Sequence, residues 1–142
     1  MSAATAEHAT PIKPVPVKGG VVAYLQLDGA MRAAEFYQSA FGAELAFAYP
    51  PDDRGRTMHA HLYINGSSVM LSDPYPEHGC ALQAPQGFTM TLMVEDIEAW
   101  WKRAIDAGAT PVMPPTDMFW GDRYAQLRDP FGVAWAMNQG KR

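Results

Sequence analysis

Shifting the sequence by 66 positions lays its second half on its first: Ala33 falls on Ala99, Gly42-Ala43 on Gly108-Ala109, and the turn glycine Gly66 on Gly132. Strand-type hydrophobic residues coincide as well, Leu27 with Met93 and Val69 with Trp135. A repeat of this kind means that one supersecondary unit is used twice. The chain must therefore fold as two like modules.

The unit can be read from its pattern. VVAYLQL, from Val21, is a short β-rich run stopped at Asp28-Gly29. AMRAAEFYQSAFGAE then places Ala30, Ala33, Ala34, Phe36, Tyr37, Ala40 and Phe41 at helical spacing and stops at Gly42, a natural residue just past a helix end. ELAFAY, TMHAHLYI and SSVMLSD follow as strands, separated by the turn Pro50-Pro51-Asp52-Asp53 and the hairpin signal Asn65-Gly66. The second half repeats the order: FTMTLMV as strand, DIEAWWKRAIDAG as helix, TPVM and RYAQLRD as strands, a turn at Pro130-Phe131-Gly132, and VAWAMN as strand. The pattern predicts an α+β domain over 21–138 made of two tandem β-α-β-β-β modules, 21–73 and 88–138. A Pro- and Gly-rich linker, 74–87, joins them. Residues 1–20 carry Pro11, Pro14 and Pro16 and no hydrophobic period, and read as a flexible N-terminal arm.

Composition narrows the function classes. With 142 residues, 48% of them hydrophobic, the chain is long enough to bury a real core. Eleven Lys and Arg against 15 Asp and Glu give a net charge of -4 with no long run of one sign, which argues against a nucleic-acid or anionic-membrane binder. No apolar stretch approaches the about 20 residues that cross a bilayer, and the N-terminus lacks an apolar signal core, so the expectation is a soluble, cytoplasmic protein. The single cysteine, Cys80, excludes an intramolecular disulfide and a cysteine-based zinc cluster.

The duplicated unit from Val21 to Asn138 resembles the vicinal oxygen chelate superfamily, which includes glyoxalase I, bleomycin-resistance proteins, fosfomycin-resistance enzymes and extradiol dioxygenases. AAEFYQSAFGAE (33–44) is similar to that family's first-helix motif. FWGDRYAQLRDPFGVAW (119–135) and MHAHLYINGSSVMLSD (58–73) resemble the last and middle hairpins of its PhnB-like branch. The methyltransferase label carried by many PhnB-like sequences does not transfer, because nothing in this chain looks like a nucleotide-binding fold with a glycine-rich loop. The resemblance implies strongly curved sheets enclosing a cavity, and a homodimer whose pairing covers exposed sheet edges.

In metal-dependent members the ligands sit on the first and last strand of each half. Carried across, those positions are Val22 or Ala23, Met70 or Leu71, Phe88 or Thr89, and Ala136 or Met137. None is a histidine or carboxylate, the donors a divalent metal needs. The resemblance thus implies that the usual metal site, and with it glyoxalase-I or dioxygenase chemistry, is missing.

His59 and His61 lie two apart on a predicted strand and project to one face with Tyr63, whereas Met58, Ala60, Leu62 and Ile64 project to the other. Three readings stand: ordinary hydrogen-bonded polar residues, ligand-contacting or proton-transferring groups, or metal ligands helped by Asp73 or Glu77-His78. The 66-residue offset maps this face onto the apolar Ala125 and Leu127, which leaves its direction open.

Tyr24, Tyr63, Met70, Met90, Trp120, Tyr124, Trp135 and Met137 suit either core packing or the walls of a site for a flat ligand. Trp120 stands in a Gly-containing loop where a cavity rim is expected. Of the adjacent Trp100 and Trp101, one should pack on the sheet and the other should be exposed or in an interface. Asp129 reads as a turn residue, Asp122 and Arg123 as an ion pair or an anchor for a charged ligand group. For Cys80, the nearness of His78 in sequence establishes neither the activating base nor the orienting partner that a thiolate nucleophile needs.

The expectation is a metal-independent binder of a small aromatic or amphipathic molecule, held by Tyr24, His59, His61, Trp120 and Tyr124, with no cofactor, no nucleic-acid or membrane partner, and a second copy of the chain as partner. The alternative is a lyase or isomerase, metal-dependent or cofactor-free, using His59 and His61. A third reading is a dimeric structural or regulatory module without a ligand.

Overall fold

The computed structural model describes residues 15–141. They run β1 (Ala23–Gln26), α1 (Ala30–Phe41), β2 (Glu44–Ala48), β3 (Ala60–Ile64), β4 (Ser67–Ser72), a 3-10 turn (Pro76–His78), β5 (Met90–Val94), α2 (Ile97–Ala107), β6 (Thr110–Asp117), β7 (Arg123–Arg128) and β8 (Ala134–Gln139). The strands form two four-stranded sheets, in the orders β1-β4-β3-β2 and β5-β8-β7-β6. In each, the first pair is parallel and the rest antiparallel. The predicted β-α-β-β-β unit is thus present twice. Two compact units result, one of residues up to Gln38 with Ala43–Leu82, the other of Ser39–Gly42 with residues from Gln83 on. Among the described residues no helix is long and apolar enough to cross a membrane.

Alternation decides which face of the first sheet enters the core. Leu25, Ala60, Leu62, Ile64, Val69 and Leu71 are buried and share one face by register. In α1 the buried residues are Ala30, Ala33, Ala34, Tyr37, Ala40 and Phe41, an i, i+3, i+4 stripe. The core face of the second sheet carries Leu92, Val94, Ala125, Leu127, Trp135 and Met137, and α2 touches β6, β7 and β8. Trp100 and Trp101 do not divide into one packed and one exposed residue as expected. Both are half-buried, because they flank the Ile97–Ala104 seam, and the Arg103 guanidinium lies 4.5 Å from the Trp100 ring centroid.

The repeat is also visible in how the helices begin. Asp73, just after β4, accepts hydrogen bonds from the Gly29 and Ala30 N–H groups at the start of α1, at 2.8 and 3.2 Å. At the corresponding place Gln139 of β8 accepts from the Ile97 N–H of α2 at 2.9 Å. Each helix N-terminus would otherwise leave unpaired donors, and in both units a residue at or just past the end of the last strand supplies the acceptor.

The offset between the units is not constant, and this corrects part of the sequence comparison. Pairing of β1 with β4 and β5 with β8 makes Val69 equivalent to Trp135, as the 66-residue shift has it, but sets Leu27 against Val94 instead of Met93. Along β3 and β7 the offset is 65. The two-residue turn Asn65-Gly66, with both residues at positive φ (50° and 86°), has a longer counterpart in Pro130-Phe131-Gly132. One added turn residue moves every side chain of a strand to the opposite face in the comparison. The equivalents of His59 and His61 are therefore Tyr124 and Gln126, and the conflict with Ala125 and Leu127 disappears.

β6 extends four residues beyond the expected TPVM, through Pro114 and Pro115 to Asp117. It pairs only with β7, so prolines that would break a central strand cost no ladder bond on its free side, and its register shifts twice along the way. Of the predicted arm, residues 1–14 lie outside the described region. Its last residues dock on the first sheet: Lys18 N–H donates to Ser68 Oγ at 2.8 Å, and Tyr63 Oη to the Pro16 carbonyl at 2.6 Å.

Candidate functional site

On the face of the first sheet opposite its core, strand register produces two adjoining rows. Tyr24, Met70, His61 and Phe47 form one. One step along, Gln26 and Ser72 continue toward His59 and Tyr49, whose N–H donates to the His59 carbonyl at 3.0 Å. The chemistry concentrates where the rows meet. Tyr24 Oη lies 2.9 Å from His59 Nδ1, with ring centroids 5.5 Å apart, and the Tyr49 ring stands edge-on to His59 at 6.3 Å. Tyr24 is 51% exposed and His59 half-buried, so this pair faces outward.

Burial pushes the Tyr24 phenol above its ordinary value, opposed by a hydrogen bond from Ser72. Burial, reinforced by the neighbouring His61, pushes the His59 imidazole below its ordinary value. At neutral pH the site therefore carries a protonated phenol against an uncharged imidazole.

His61 stands differently. It is 3% exposed, and its Nε2 lies 2.7 Å from Ser68 Oγ, which in turn holds the Lys18 backbone. Burial also keeps its imidazole uncharged near neutrality. The structure thus brings Tyr24 and His59 together and sets His61 beside them in a buried link between β3 and β4.

Trp120 and Tyr124 belong to the second unit. The Met118–Asp122 turn, closed by the Gly121 N–H to the Met118 carbonyl at 3.0 Å, presents Trp120 edge-on to Tyr124 with centroids 5.8 Å apart. Phe119 beside it is 97% exposed. Gln126 Nε2 donates to Tyr124 Oη at 3.3 Å. Asp122 accepts from Asn138 at 3.0 Å, and Arg123 pairs with Glu98 at 2.7 Å and Asp117 at 3.1 Å, so these charges are engaged within the chain.

The other proposed donors are occupied as well. Asp73 takes three backbone N–H bonds, including Thr57 at 2.8 Å, and Glu77 pairs with Arg56 at 2.8 Å, which brings its carboxyl down to about 2. Among the described residues no group of three His, Cys, Asp or Glu is placed to hold a metal ion. Ser72 and Tyr49 are site residues that sequence reasoning missed. Tyr49 was signalled by the aromatic run FAY, whereas Ser72 became legible only through register.

A family profile described as glyoxalase/bleomycin resistance protein/dioxygenase superfamily matches residues 22–137. The chain belongs to that superfamily. The uncharacterized protein Mb0911c of Mycobacterium bovis is 39% identical over 135 residues, covering 90% of this chain and 88% of its own. Among solved structures, protein PA1353 from Pseudomonas aeruginosa is 28% identical with a TM-score of 0.70, covering 86% of this chain and 98% of that one. TioX from Micromonospora sp. ML1 is 27% identical with a TM-score of 0.68, covering 85% and 98%. Metal-dependent members of the superfamily hold a divalent ion on the first and last strand of each half. The positions that would hold it, Val22 or Ala23 with Met70 or Leu71 and Phe88 or Thr89 with Ala136 or Met137, offer aliphatic, thioether, aromatic or hydroxyl side chains. That donor set does not fit such an ion.

Proposed function

We propose that the protein binds a small aromatic or amphipathic organic molecule on the outward face of its first sheet, without the metal of its superfamily. One observation carries this reading: the Tyr24–His59 hydrogen bond, a directional polar handle on a face that also carries Tyr49, Phe47 and Met70. Aromatic and thioether walls supply affinity and a few fixed polar groups supply orientation, which is how small-molecule sites are usually built. The edge-on Trp120–Tyr124 pair gives the second unit an aromatic surface of its own. In this reading His61 contributes through its buried bond to Ser68. The same reading places the chain in the PhnB-like branch, on the strength of FWGDRYAQLRDPFGVAW, and takes it to work as a cytoplasmic homodimer.

A second reading, a cofactor-free lyase or isomerase with His59 as base, is favoured by the uncharged state of that imidazole. Metal dependence is tested first. Protein purified without a metal-affinity tag is expected to contain far less than one equivalent of zinc, nickel or manganese, and to melt at the same temperature with each ion or with EDTA. A ligand of the native state raises stability by RT ln(1 + [L]/Kd), so a near-stoichiometric metal or a chelator-sensitive melt would overturn the metal-free reading.

A further inference from the structure

We infer that Tyr24 fixes His59 as the Nε2–H tautomer, making it a hydrogen-bond donor that selects ligands carrying an acceptor oxygen of the carbonyl type. The inference rests on the outward face being the ligand site and adds which chemistry that site prefers.

It follows from counting protons. Tyr24 has one O–H and two acceptors near it: His59 Nδ1 at 2.9 Å and the Met58 carbonyl at 3.4 Å. Hydrogen bonds from a hydroxyl cluster near about 2.7–2.8 Å and weaken beyond 3 Å, so the proton goes to Nδ1. A neutral imidazole has one N–H and one lone pair. With Nδ1 accepting, the proton resides on Nε2, and Nε2 has no hydrogen-bond partner among the described residues.

The remaining surroundings agree. Tyr49 stands edge-on to the imidazole, and Phe47 and Met70 lie in the next row, so a ligand ring packed on them would present a substituent toward Nε2. An oxygen acceptor there gains a bond, and a donor hydroxyl meets an N–H. A general base would need a lone pair on the outward nitrogen, so this tautomer also opposes His59 as the base of a lyase or isomerase.

Two probes of one shape, 2-acetylnaphthalene with an acceptor and 2-ethylnaphthalene without, test the proposal by titration in EDTA-containing buffer. The acetyl compound should bind up to about tenfold more tightly, the size of one net hydrogen bond, and His59→Phe should erase the difference while still binding both. Equal affinity for the unmodified protein would overturn the proposal and leave the aromatic site standing. If neither probe binds, both fall. Long-range proton–nitrogen spectra of the unmodified protein at pH 7 give an independent reading: His59 should show a protonated Nε2 and a bare Nδ1, and the reverse pattern would overturn the assignment whatever the variant does.

Discussion

Asp73→Ala is expected to lower the unfolding free energy by about 3–4 kcal/mol, since it leaves three backbone donors short of a charged acceptor. The carboxylate is 2% exposed and joins three places in the first unit: Gly29 and Ala30 at the start of α1, and Thr57 ahead of β3. A domain of this size holds only about 5–15 kcal/mol in all. Urea denaturation checks the value. Asp73→Asn keeps one acceptor oxygen and should lose less, so an alanine variant within about 1 kcal/mol of the parent would show that the N-terminus of α1 is held by other means.

Asp129→Ala should cost the second unit a comparable amount, about 3 kcal/mol. Its Oδ1 accepts from the Phe131 and Val133 N–H groups at 2.9 Å each, shaping the three-residue turn, and its Oδ2 accepts from the Trp135 indole at 2.9 Å. Trp135 is 2% exposed, so its N–H would lose its partner inside the core. The variant should show a lower urea midpoint and an altered near-ultraviolet tryptophan signal. An unchanged signal would mean that the indole had found another acceptor.

Much of this arrangement was legible in the sequence because both signals involved are local. Apolar residues spaced at the helical period marked α1 and its end at Gly42, and strict alternation through TMHAHLYI put Ala60, Leu62 and Ile64 on the core face, but Met58, expected with them, lies ahead of β3 and is 65% exposed. What escaped depended on pairing. The 66-residue shift matched Leu27 to Met93, and placed Ala125 and Leu127 under the histidines, because a single extra turn residue reverses side-chain parity without changing the hydrophobic content. β6 ran on through Pro114 and Pro115 because only its edge position makes those prolines tolerable. At the site, Tyr24 and His59 are 35 residues apart in sequence, and their contact arises from β1 and β3 lying on either side of β4. No pattern within either strand carries that information.

The central claim is that the outward face of the first sheet takes an aromatic ligand without metal. The nine methionines offer a direct readout through carbon-13-labelled methyl groups, since Met70 lies on that face while Met137 is fully buried on the core face of the second sheet. With aromatic fragments titrated in excess EDTA, binding fragments should shift the Met70 methyl resonance and leave Met137 in place. A screen in which no fragment moves Met70, or in which Met70 responds only after a divalent metal is restored, would contradict the account.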